Sequence, residues 1–145
     1  MQTYTLPRDG QRAVRFTGEI LAAVSGRVSQ GREQNRWYEV RLFDADGGRT
    51  VVAWEFLTLW QGEEDHAEVQ TFATLHEAMN ALEAFDPLQW LEGYKALMAR
   101  HPQDRDEGHA SGYASRQARL EQQLTEQYGR LVAELARTLD VVEEL

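Results

Sequence analysis

The side chains best suited to chemistry fall in two acidic runs. In one, His101 and His109 flank Asp104, Asp106 and Glu107. Two imidazoles and three carboxylates so close together are donors that a divalent cation accepts. The Ca²⁺-loop template does not fit, because its fifth position falls on Gly108 and no glutamate stands at its twelfth. The surrounding stretch, QDRDEGHASG, holds no apolar group except Ala110. The run therefore reads as a solvated linker, with Asp104, Asp106 and Glu107 as a contact surface. In the other run, His66 stands among Glu63, Glu64, Asp65 and Glu68. General acid chemistry needs a cleft and a second positioned group. A turn between strands supplies neither, so this run reads as a solvated acidic turn, with an acidic patch for a basic partner as the alternative.

Other reactive groups are sparse. There is no cysteine, which excludes disulfides, thiolate metal sites and a cysteine nucleophile. No serine occupies a G-x-S-x-G elbow, and neither G-x-G-x-x-G nor a P-loop occurs. The sequence thus points to a protein that is not an enzyme and carries no cofactor and no metal.

Charge is uneven. Seven arginines against four carboxylates give residues 1–42 a charge of +3, whereas eight basic and twenty acidic groups give residues 43–145 a charge of −12. Such a surface repels phosphate backbones and disfavours direct nucleic-acid binding. It attracts basic surfaces, such as the nucleic-acid channel of another protein. Acidity that merely keeps a small protein soluble is the plainer alternative. The N-terminal MQTYTLPRDG has no apolar h-region and no window approaches 18 apolar residues, so no membrane is expected and the cytoplasm is.

The stretch that must position everything else is Asn35–Trp60, NRWYEVRLFDADGGRTVVAWEFLTLW. Alternation predicts a strand over Arg36–Asp44, a hairpin turn at Asp46-Gly47-Gly48, and a strand over Thr50–Trp60. The second strand is apolar on both faces, as a central strand covered twice would be. The helices that follow are the expected covers. Upstream, Gln2–Leu6 reads as an edge strand stopped by Pro7. Val14–Val24 reads as another, with Val14, Phe16, Ile20, Ala22 and Val24 on one face and a bulge or close approach at Gly18. Val69–Phe72 adds a short strand. Trp54 and Trp60 read as core. Trp37 follows an arginine-bearing loop and shares a face with Glu39 and Arg41, so it is the expected partly exposed anchor.

Beyond Thr74 the period becomes helical. Thr74 and Glu77 fit a capping box, and Leu75, Ala78, Met79, Leu82 and Phe85 follow at helical spacing. Asp86-Pro87 predicts a second helix over Leu88–Arg100. A long helix follows from about Tyr113 to Val142. Its stripe is Leu120, Leu124, Tyr128, Leu131, Leu135, Leu139 and Val142, an 11-residue repeat. Left in water, these groups would forgo on the order of 10–20 kcal/mol. The stripe must lie across the sheet or pair with another chain, as in a homodimer.

The expected fold is therefore α+β: an antiparallel meander of four or five strands, a helical hairpin, and a long C-terminal helix. An α+β domain over residues 1–101, a polar linker over 102–112 and the helix over 113–145 are expected. The elements Phe16-x-Gly18-x-x-Leu21-Ala22, Arg36-Trp37-x-Glu39-Val40-x-Leu42, Gly47-Gly48 and Trp60-Gln61-Gly62-Glu63 resemble a small strand-rich module of uncharacterised plasmid, phage and other mobile-element proteins. The likeness spans about residues 10–70. It implies no activity, but it implies a mobile-element origin, where accessory proteins serve maintenance or counter-defence. The functional expectation is an acidic binding protein that occupies a protein partner, such as an inhibitor of a nucleic-acid-targeting defence system. The alternative is a homo-oligomer assembled through the C-terminal helix.

Overall fold

The computed structural model describes residues 1–27, 35–60, 62–91 and 107–145, with the side chains of 107–117 left undescribed. Five strands form one antiparallel sheet in chain order: β1 (Gln2–Arg8), β2 (Gln11–Ser25), β3 (Arg36–Ala45), β4 (Arg49–Thr58) and β5 (His66–Phe72). Two α-helices are described, α1 (Leu75–Ala84) and α2 (Glu107–Leu139). The class is α+β.

The β3–β4 hairpin is the frame. Its register pairs Tyr38 with Phe56, Val40 with Trp54 and Leu42 with Val52 on one face. Phe43 with Val51 and Arg41 with Ala53 lie on the other. Gly47 and Gly48 both take positive φ, which the short turn between these strands requires. Both faces of β4 are covered, as its composition demands, but not by helices on each side. On the first face Tyr38, Val40, Leu42, Val52, Trp54 and Phe56 pack with Met79 and Leu82 of α1 and with Leu124, Tyr128, Leu131 and Leu135 of α2. On the second, Phe43, Val51, Ala53 and Val69 pack with Leu6, and with half-buried Tyr4, Val14 and Phe16. The sheet thus curls and covers its own inner face with β1 and β2.

Two local devices permit the curl. The register of β2 against β3 shifts between Ile20 and Ala22, so Leu21 is an extra residue. Val14 and Phe16 therefore join the inner core while Ala22 and Val24 join the helix-covered core. The single apolar face expected for this strand is two half-faces. At Gly18 a Cβ would clash with the Asp44 carbonyl oxygen and lie 2.9 Å from the Ala45 Cα, so β3 crosses too closely for any side chain. β1 continues past Pro7 to Arg8, with its register broken there. A proline on the edge of a sheet costs no ladder bond. Asp9 then ties β1 to β5: its N–H donates to the Ala67 carbonyl at 2.8 Å, and its carboxylate accepts from the Ala67 N–H at 3.1 Å.

The expected helical hairpin is a correction. α1 forms as its cap predicts, with the Glu77 N–H donating to Thr74 Oγ1 at 3.1 Å. After Asp86-Pro87, however, the described chain makes only one 3₁₀ turn, Gln89–Leu91. Asp86 does cap it, accepting from the Leu88 N–H at 2.9 Å. The Tyr38 hydroxyl donates to the Pro87 carbonyl at 2.6 Å, and the Leu91 N–H turns to Leu88 instead. That exchange replaces an i→i−4 bond by an i→i−3 bond. Residues 92–100, the remainder of the expected helix, lie outside the described residues.

α2 starts at Glu107, inside the stretch read as linker, and stops at Leu139. Asp140 takes a left-handed φ of 54°, and the Val141 N–H reaches back to the Ala136 carbonyl at 2.9 Å. That is a Schellman stop with aspartate in the glycine position. Val142 falls beyond it and is exposed, so it is not part of the stripe. Leu124, Tyr128, Leu131 and Leu135 are buried, and Leu120 and Leu139 half-buried, against the chain's own sheet. The stripe closes its own domain and is not left for a partner helix. No described helix is long and apolar enough to cross a membrane.

Candidate functional site

The surface best built to meet another molecule lies where β4 leaves the sheet. Leu59 and Trp60 are 59% and 50% exposed, side by side. They are not loosely held. Arg36, at the start of β3, is buried and donates through Nε (3.0 Å) and Nη2 (2.5 Å) to the two oxygens of Glu63. The Thr58 hydroxyl also donates to Glu63, at 2.9 Å, and accepts from the Trp60 N–H at 3.1 Å. The Thr58 N–H donates to the Asp65 carboxylate at 3.0 Å, and the Leu59 N–H to the Asn35 carbonyl at 2.9 Å. The Arg36 guanidinium carbon stands 5.1 Å from the centroid of the Trp60 ring. A paired, desolvated guanidinium under an indole face fixes the ring's attitude. Gly62, at φ 90°, lets the chain turn back.

This arrangement sorts the expected site residues. Glu63 is drawn inside and neutralised by Arg36, so it is not a free surface charge. Asp65 is exposed while holding Thr58, and Glu64 is exposed. Glu68 is half-buried on β5 and accepts from Gln70 at 2.9 Å. Trp37 is overturned as an exposed anchor: it is only 7% exposed, with Arg27 stacked 4.4 Å above its ring and its Nε1–H donating to Glu39 at 3.4 Å. Trp60, expected in the core, is the tryptophan at the surface. β4 ends at Thr58, so the parity that placed Trp60 beside Trp54 and Phe56 no longer applies. The signal was present in Gly62, two residues on, which marks the end of the strand. Asp104 and Asp106 lie outside the described residues; Glu107 opens α2 with its side chain undescribed.

His66 has a structural post. Its Nδ1 meets Asp9 Oδ2 at 2.5 Å, and its ring stacks on Trp90 with centroids 5.4 Å apart. Among the described residues, no three His, Asp or Glu groups are gathered to hold a metal ion. The buried phenols are structural too. The Tyr128 hydroxyl donates to the Leu82 carbonyl at 2.6 Å and accepts from Trp54 Nε1–H at 3.1 Å. Burial raises the pKa of Tyr38 far above a phenol's ordinary value, with Tyr128 and Asp86 adding to it. Burial likewise raises that of Tyr128, against the bond from Trp54. Both are thereby kept as neutral donors. No protein family, curated protein or solved structure matches the chain.

Proposed function

We propose that the protein is a non-catalytic binding protein of mobile-element origin, which acts by occupying a protein partner through the Leu59–Trp60 tip and the carboxylates of Glu64 and Asp65. The observation that carries this reading is the locked presentation of two large apolar groups in water. A rigid tryptophan with an acidic rim is the composition of an interface anchor, since little conformational entropy remains to be lost on binding. The −12 charge of residues 43–145 selects a basic partner. The resemblance of residues 10–70 to mobile-element modules supports the sharper form: an inhibitor of a host nucleic-acid-targeting defence complex, of anti-CRISPR or anti-restriction type, that takes the place of nucleic acid in a basic groove.

The test is binding of the purified chain to purified complexes of these two types over a salt series. A retained complex that weakens with salt is expected, and Trp60→Ser should weaken it by about thirtyfold or more. Failure to retain any such complex at low ionic strength removes the defence-inhibitor reading. Retention indifferent to Trp60→Ser removes the tip as the contact.

A further inference from the structure

The second half of β2 has a neighbour on one side only. Its pairing with β1 ends at Gly18, opposite Gln2, while its pairing with β3 continues to Ser25, opposite Glu39. Among the described residues no strand lies along the other edge from Glu19 to Ser25. The phase of this edge is fixed. The Gly26 N–H donates to the Tyr38 carbonyl, so Val24 and Ala22 direct their amides to β3, and Ala23 and Ser25 direct theirs away from it. Natural edges are guarded by proline, lysine, an inward charge or a bulge. Ile20–Ser25, ILAAVS, carries no proline and no charge, and its guard is the bulge at Leu21. Ile20 and Leu21 are 47% and 40% exposed.

The edge also has ends of unlike charge on the same side of the sheet. Glu19 is opposite Asp44, which places it on the face that the helices cover. At the far end Ser25 and Gly26 form, with Arg130, Glu134 and Arg137 of α2, an open groove of about 470 Å³ on that face.

We propose that two copies of the chain pair through this edge, β2 against β2 in antiparallel sense, about a twofold axis near Ala22 and Ala23. Two five-stranded sheets then become one of ten. Antiparallel pairing of a segment with itself sends the Glu19 of each copy to the Ser25–Gly26 end of the other, beside Arg130 and Arg137. The charge complement is thus made twice, once at each end, as an isologous contact requires. The apolar stretch between needs no charged partner. An arbitrary extended peptide would satisfy the amides of Ala23 and Ser25 but has no reason to carry an acid at that spacing, which is why a second copy is the fitting occupant.

Sedimentation equilibrium of the full chain should give a mass rising with concentration to that of two chains. Ala23→Pro removes an outward N–H while leaving the β3 ladder intact; it should give a monomer with an unchanged circular dichroism spectrum. Glu19→Arg should weaken association about tenfold or more, and so should Arg130→Glu with Arg137→Glu. Combining all three should restore the dimer, a rescue that a folding defect would not show. A full chain that stays monomeric at every concentration overturns the proposal. So does a dimer indifferent to Glu19→Arg.

Discussion

Gln127 is a helix residue doing the work of a strand. β2 departs from β3 after Gly26, and the buried Gln127 side chain of α2 takes its place. Its Oε1 accepts from the Tyr38 N–H at 2.9 Å, and its Nε2 donates to the Arg36 carbonyl at 3.3 Å. A primary amide offers one donor and one acceptor in a plane, much as a backbone peptide does. Gly26 is the complement, because a Cβ there would run into the Gln127 side chain, 2.7 Å from its Cδ. Gln127→Leu preserves the volume and removes both bonds. Each buried polar group left without its partner costs about 1–3 kcal/mol. The 2.9 Å bond to the Tyr38 N–H carries the larger share, because that N–H offers a single proton. The 3.3 Å bond carries less, since a carbonyl has a second lone pair. The added apolar contact of leucine offsets part, leaving a loss of about 2–4 kcal/mol. Urea denaturation would show the midpoint fall with an unchanged slope. Amide exchange would show Tyr38 losing protection beyond the global change. A loss under about 0.5 kcal/mol with Tyr38 still protected would refute the amide-surrogate account.

Two further outcomes follow from the same packing. A Cβ at Gly129, in mid-helix, would meet open space, so Gly129→Ala should stabilise the fold by about 1 kcal/mol, read as a higher thermal midpoint; a loss of stability would mean that a close crossing occurs there. Tyr38 and Tyr128 resist ionisation when folded, whereas in the unfolded chain both ionise near pH 10. Above that pH the unfolded state binds fewer protons than the native state, so these two phenols contribute no slope well below pH 10 and lower stability by up to about 3 kcal/mol per unit above it; Tyr128→Phe should roughly halve that slope, and an unaltered slope would count against burial as the cause.

The hairpin could be read from sequence because its signals are local. Alternation from Arg36, two glycines at the turn and a second strand apolar on both faces each follow from a few adjacent residues. The Thr74 cap was legible for the same reason. What was not legible depends on distant partners. One extra residue at Leu21 moves Val14 and Phe16 to the opposite face from Ala22 and Val24, and nothing nearby in the sequence marks it. The second helix was expected from Asp86-Pro87, but a hydroxyl on Tyr38 captures the Pro87 carbonyl. Trp60 was misplaced because strand parity was carried two residues past the end of β4, and Trp37 because Arg27, ten positions upstream, covers its ring. The acidic turn was found, yet Glu63 is paid for by Arg36, 27 positions upstream, and only Glu64 and Asp65 face outward.

The two cores of the sheet become complete at different moments of synthesis. Leu6, Phe43, Val51, Ala53 and Val69 can assemble once residue 72 has left the ribosome, because β1 and β2 are already made. The opposite face of the same strands, with Tyr38, Trp54 and Phe56, waits for Leu124 to Leu135. At roughly 5–20 residues per second, that face, with only α1 to cover it, stays partly bare for several seconds on every nascent chain. A half-finished molecule therefore offers aromatic surface to whatever binds nascent chains, and the Leu124–Leu135 stretch of α2 decides when that exposure ends.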